Sequence, residues 1–193
     1  GLQHGAAQSL AHFFASCVTH LPSFISHFGE QQATLAGSAA FGWSAKAVAD
    51  EDLEVRRTAV RVLGAAGPKA EGATSALEAA LADPDAEVRE GAVLALAGIG
   101  KPAVGALAKA VSSEDAAVRR RAMAALSGLG ADAVDAAPAF VEVLLGADPE
   151  MERSAAAALI RMGPRAAPAL EKALERGSTA QQLLEASTHN FMS

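Results

Sequence analysis

Tyrosine is missing from this 193-residue sequence, and cysteine and tryptophan occur once each. The lone Cys17 rules out an intramolecular disulfide and leaves the redox compartment open. No run of about 20 apolar residues reads as a membrane span, and no alternating apolar–polar pattern is long enough to argue for a strand. Positive charge is scarce: 16 Lys and Arg face 22 Asp and Glu, a net charge of −6. That balance argues against sequence-independent nucleic-acid binding, which needs a basic surface to displace the counterions of phosphates. Residues 46–188 contain neither His nor Cys, so no imidazole acid–base pair and no thiol nucleophile can be assembled there. Nor does a glycine-rich phosphate-cradling loop open any helix. What the chain has in quantity is alanine, within an apolar content of 51%. Alanine favours helices and lets them approach closely, so the expectation is an all-helical chain, one domain by length.

The positive signal is an internal repeat. Asp52, Asp85, Asp115 and Asp148 fall into one column, at steps of 33, 30 and 33. Val55, Val88, Val118 and Met151 follow at the same steps, as do Ala59, Ala92, Ala122 and Ala155, and then Leu63, Leu96, Leu126 and Leu159. Gly67, Gly100, Gly130 and Gly163 close the units. Agreement of five columns at the same offsets marks a repeat architecture. Each unit reads as a helix capped by its Asp, with Glu54, Glu87 and Glu150 adding favourable charge in the first turn. Val, Ala and Leu four residues apart share one face. The closing glycine, expected in the left-handed conformation and followed by or close to a proline (Pro68, Pro102, Pro164), ends it. A second apolar run follows each stop: Leu77 and Leu81, Leu107 and Val111, Phe140 and Leu144, Leu170 and Leu174. The connectors alternate, long after Gly67 and Gly130 and short after Gly100 and Gly163, which makes a two-repeat cell of 63 residues and predicts that Pro68–Thr74 and Ala131–Ala137 lie along one edge.

These residues, D-x-D-x-E-V-R followed by A-x-x-x-L-x-x-[IL]-G and a second Leu-rich helix, resemble the HEAT repeats of the short phycobilin-lyase type over about residues 50–176. The resemblance implies a right-handed α–α superhelix, a HEAT-like solenoid, of four regular hairpins at about 50–82, 83–112, 113–145 and 146–176. A divergent N-terminal segment, 1–49, and a tail, 177–193, flank them. It also implies Asp–Arg links between neighbouring units, of the kind Asp85 to Arg56 or Asp115 to Arg89. Arg56, Arg89 and Arg119 do share a column, which Glu152 breaks. They read either as polar links inside the stack or as guanidinium groups for a partner, and Arg119, Arg120 and Arg121 form the densest basic spot, beside Glu114 and Asp115.

Residues 1–45 differ in kind. They hold no Lys or Arg, a single acid (Glu30), and six of the eight aromatics: Phe13, Phe14, Phe24, Phe28, Phe41 and Trp43. Their helical stripe is either a capping repeat, since end repeats of solenoids diverge, or an arm that buries aromatics against a partner protein. His12, His20 and His27 with Cys17 lack the tight paired spacing of a four-ligand zinc site and read as packing or surface residues; no metal and no cofactor is expected. The family's two-iron hydroxylases use His-Glu pairs that this chain lacks.

Two functions are then in view. The first is a non-catalytic protein–protein interaction scaffold, an accessory or assembly subunit of a larger complex, with protein partners, no nucleic acid, and contact with a membrane only through a partner. The second is a phycobilin-lyase-like chromophore chaperone or lyase subunit, although residues 46–188 offer no Cys or His to hold a bilin. The chain begins at Gly1 without Met, which reads as a processed form, a fragment or an expression boundary; together with the neutral arm it makes a plastid or other organellar setting one expectation.

Overall fold

The computed structural model describes residues 42, 44–146 and 148–174, and every described element is helical. Eight α-helices alternate in length: α1 Leu53–Ala66, α2 Thr74–Ala80, α3 Ala86–Ile99, α4 Val104–Ala110, α5 Ala116–Leu129, α6 Ala137–Leu144, α7 Pro149–Met162 and α8 Ala167–Leu174. The helices α1, α3, α5 and α7 each have 14 residues, and the second helices have seven or eight. A 3-10 segment precedes each second helix, of seven, three, seven and four residues in turn, so the connectors alternate as the sequence pattern does.

Local chemistry sets these boundaries. Asp52, Asp85, Asp115 and Asp148 sit in extended conformation ahead of the four first helices, and each carboxylate accepts first-turn N–H groups. Such caps are worth about 1 kcal/mol each. The closing glycines have φ of 56°, 82°, 55° and 68°, as expected, but ψ of −131°, −137°, −122° and −154°. This is the mirror image of the β region, not the left-handed helical basin, and it turns the chain sharply into the 3-10 segment; a Cβ would clash there.

The repeat columns form the core. Val55, Val88 and Val118 are at most 2% exposed, Ala59, Ala92, Ala122 and Ala155 are fully buried, and so are Leu63, Leu96 and Leu126. Burying each leucine stabilises the fold by roughly 1.5–3 kcal/mol. From the second helices come Leu77, Leu107, Phe140 and Leu170. Leu81, expected beside Leu77 in the core, is the C-cap of α2 and only half-buried, whereas Val111, just past α4, is buried.

One domain is the expectation from length, yet the chain divides into two compact units, with the division in sequence between Ala103 and Val104. In the first, α3 packs along α1 and against α2. In the second, α4 packs on α5, while α7 packs on α6 and, less extensively, on α5. No described helix is long and apolar enough to cross a membrane.

Candidate functional site

Where one first helix meets the next, the first unit is closed by arginines. Arg56 Nε donates to Asp83 Oδ2 at 2.8 Å and its Nη2 to Asp83 Oδ1 at 3.3 Å. Its Nη1 also reaches back to the carbonyls of Asp50 and Glu51 at 3.0 and 3.2 Å, holding the turn that leads into α1. The next residue, Arg57, makes a second fork: Nε and Nη2 donate to the two carboxylate oxygens of Asp85 at 3.1 and 2.9 Å. Glu87 and Glu54 complete its surroundings at 3.1 Å each. Forked Arg–carboxylate pairs are the geometrically specific ones. The hydrogen bond from Arg57 is the main reason the Asp85 carboxyl is held below its ordinary range, and the same bond raises Arg57. The expected Asp85–Arg56 link is therefore corrected: Arg56 takes Asp83, and Asp85 belongs to Arg57. The implied pairing misassigns the partners because Arg56 is tied by Nη1 to its own turn, which aims its fork at Asp83, two residues before the cap.

Close packing supports this clamp. At Gly91 a Cβ would stand 2.7 Å from Val60 Cγ2, and at Gly98 it would be 3.5 Å from the Gly64 carbonyl oxygen. The first contact could not accept a side chain without a shift of Val60, whereas the second is an ordinary van der Waals distance, so Gly91 is the position where close approach to α1 requires glycine.

The second unit repeats the same positions 63 residues later with different side chains. Arg119 and Arg120 stand where Arg56 and Arg57 do, and Asp148 and Glu150 where Asp85 and Glu87 do. Yet no ion pair joins them. Arg119 Nη1 still holds its turn, donating to Ser113 and Glu114 carbonyls at 2.7 and 2.9 Å. Among the described residues its fork has no partner, because Gly146 occupies the position of Asp83. Arg120 and Arg161 make no hydrogen bond or ion pair among the described residues, and Asp148 is engaged only in capping α7 through Oδ1. Between α5 and α7 lies a groove of about 530 Å³. Met123 and Met151 form its floor, Ala124, Ser127 and Gly128 line one wall, and Ser154 and Ala157 the other. Arg119, Arg120, Asp148 and Glu150 stand at one end and Arg161 at the other.

The groove follows from four replacements across the 63-residue interval. Met123 and Ser154 stand where the first unit has the Val60–Gly91 contact, and the small Ala124 and Ala157 stand where it has Arg61 and Leu94. Leu94, by contrast, is 57% exposed on α3. Of the expected basic spot, Arg119 and Arg120 come together on the groove, and Arg121 is exposed on α5 without lining it. Phe13, Phe14, Phe24, Phe28, Phe41 and Trp43 lie outside the described residues, as do His12, Cys17, His20 and His27. Among the described residues no group of three or more His, Cys, Asp or Glu is placed to hold a metal ion. Sequence reading alone placed Met151 in the core column and passed over Met123, Ser154 and Arg161; comparing positions 63 apart outside the core columns is the signal that finds them.

The profile of HEAT repeats matches residues 42–124 and 73–161. The chain belongs to the HEAT-repeat family. A PBS lyase HEAT-like repeat is matched at residues 152–176. No curated protein matches the sequence. Among solved structures, this HEAT-repeat chain is similar to an engineered protein at 24% identity and a TM-score of 0.56, covering 97% of this chain and 89% of that one. It is similar at 22% identity and a TM-score of 0.53 to a designed armadillo repeat protein in complex with the peptide (KR)4, over 95% and 92% of the two chains. A computationally designed armadillo repeat protein for modular peptide recognition gives 23%, 0.53 and the same coverage. At these identities the likeness establishes the helical-repeat fold of this HEAT-repeat protein and nothing finer.

Proposed function

We propose that this chain is a non-catalytic protein-interaction scaffold, an accessory or assembly subunit of a larger complex, which receives a segment of a partner protein in the α5–α7 groove. The observation that carries the reading is the contrast just described: equivalent helices close on each other in the first unit and leave an apolar-floored, charge-tipped groove in the second. A groove with a few convergent polar groups is the usual form of a binding site. Similar helical-repeat proteins of designed sequence are described as recognising peptides. Repeat folds of this type are typically not enzymes, and residues 46–188 provide no imidazole or thiol. The N-terminal segment 1–49 is a second contact in this reading, a docking arm, because its first 45 residues carry six aromatics with one acid and no Lys or Arg, and gain most by burial against a partner.

The test imports the side chains of the first unit into the second. Ala124→Arg with Ala157→Leu fills the groove from its exposed walls and leaves the core columns untouched. Native-source partners should co-purify with the unaltered chain and be lost from this double variant at unchanged helicity. Full retention would remove the groove from the interface. Deleting residues 1–45 asks the same of the arm: unchanged co-purification would count against docking there.

The match to a PBS lyase HEAT-like repeat keeps a chromophore-carrier reading in play. Titration with a free bilin decides it; a spectral shift and transfer to an apoprotein would favour the carrier, and their absence ends that reading.

A further inference from the structure

Resting on the groove as the binding site, we infer that its occupant brings a carboxylate: an acidic side chain of an extended partner segment docks on the Arg119–Arg120 pair. The template is inside the molecule. In the first unit, Arg56 and Arg57 are surrounded by Glu54, Asp83, Asp85 and Glu87, and both forks are filled. At the equivalent positions of the second unit, Glu54 has become Ala117 and Asp83 has become Gly146, while Asp148 and Glu150 remain. Two carboxylates are missing around two arginines that are otherwise kept.

The loss at Gly146 is the sharper of the two. Arg119 is half-buried and anchored by Nη1 to the turn before α5, so its fork is held in one orientation without a long side chain having to be ordered on binding. Pre-organisation of that kind lowers the cost of association. What the Arg56 fork holds in the same setting is a carboxylate, at 2.8 and 3.3 Å. Asp148 and Glu150 keep the α7 side of this end acidic, which directs an incoming carboxylate to the α5 side, onto the fork of Arg119.

Arg161 adds a second anchor. It occupies the place of Gly98 in the first unit, at the far end of the groove, and no described residue engages it. On the register of the first unit, where Val60 meets Gly91 and Gly64 meets Ala95, Arg120 is level with Met151, ten residues before Arg161, about 15 Å by helical rise. An extended peptide covers that distance in about four residue steps, and residues i and i+4 point to the same side. Met123, Ala124 and Ala157 between the two arginines leave room for small or apolar side chains.

A fluorescein-labelled peptide with glutamates at i and i+4, separated by Thr-Val-Thr, is the probe, read by fluorescence anisotropy on the full chain. Binding should weaken by about tenfold or more when Gln replaces Glu in the peptide, the scale of one hydrogen-bonded charge pair. Arg119→Gln and, separately, Arg120→Gln should each reduce affinity with circular dichroism unchanged; two variants are needed because Arg119 also holds its turn. Gly146→Asp restores the carboxylate internally and should displace the peptide, whereas Gly146→Asn should not. Equal binding of the Glu and Gln peptides, with both lost in Ala124→Arg/Ala157→Leu, would overturn the carboxylate inference and leave the groove reading standing. No binding of the Glu peptide, or full binding to Gly146→Asp, overturns it as well. Retention of native partners by the groove-filled variant would instead remove the reading beneath it.

Discussion

The α1/α3 pair and the α5/α7 pair begin from the same repeat and end as different objects. Both carry the Asp cap, two consecutive arginines, and the Val/Met, Ala and Leu columns. In the first pair, glycine at 91 leaves room for Val60, glycine at 98 packs beside Gly64, and two arginine forks shut the seam. In the second, Ser154 and Arg161 stand at those positions, Met123 replaces Val60, and the forks stay open over a groove. Interface character is thus set by positions just outside the conserved columns, where one or two heavy atoms decide whether helices close. Solenoids can vary such positions cheaply, because each repeat contacts only its neighbours.

The largest effect expected from probing this comparison lies in what the two units share. Leu77 and Phe140 occupy one column and are both fully buried. Leu77→Ala should cost about 2–5 kcal/mol and Phe140→Ala about 3–5 kcal/mol in denaturant unfolding. A loss below about 1 kcal/mol at either would mean that the cores are not equivalent.

Next comes the spacing. Gly91→Ser places into the first unit the residue that the second carries, and its Cβ would stand 2.7 Å from Val60 Cγ2. Val60 is buried and β-branched, so it cannot easily swing away. A destabilisation of about 1–3 kcal/mol should follow. The reverse change, Ser154→Gly on the exposed side of α7, should cost only the helix-propensity difference, about 0.5–1 kcal/mol. Equal costs in the two directions would deny that glycine 91 is there for close approach.

A cap common to both units is expected to matter to a smaller degree. Asp148→Ala removes the acceptor for the Glu150 and Met151 amides and should cost about 1 kcal/mol, with Asn restoring most of it. Thermal denaturation of the three proteins reads this directly.

The arginines give the smallest stability effects and the clearest contrast. Arg120→Gln should change stability by less than about 0.5 kcal/mol, as for a surface group with no partner among the described residues. Arg57→Gln, by contrast, should release Asp85. The folded Asp85 value lies below its unfolded one because Arg57 hydrogen-bonds its ionised form. Its contribution is therefore fully present above the ordinary Asp value of about 3.9 and is lost as pH falls through the lowered folded value. Carboxyl NMR should find the Asp85 midpoint below the ordinary range in the unaltered chain and moved up towards it in Arg57→Gln. An unmoved midpoint would contradict the fork.

Much of this could be read from the chain alone. Asp52, Asp85, Asp115 and Asp148 announce the four helix starts, and Gly67, Gly100, Gly130 and Gly163 the stops, because caps and positive-φ turns are properties of a few adjacent residues. The buried Val, Ala and Leu columns were visible through their four-residue spacing. The partner of each arginine was not. Arg56 and Arg57 are neighbours in sequence, and only the tie of Arg56 to the carbonyls of Asp50 and Glu51 aims it at Asp83 and leaves Asp85 to Arg57.

By itself, then, the sequence settled that this is a chain of capped helical hairpins with a common apolar face, since those features depend on local conformational preference and on period. Tertiary structure alone decided that one pair of first helices is sealed and the other is open. The distance between two helices is fixed by the side chains each presents to the other, and Gly91 against Val60, or Ser154 against Met123, acquires meaning only once they are face to face.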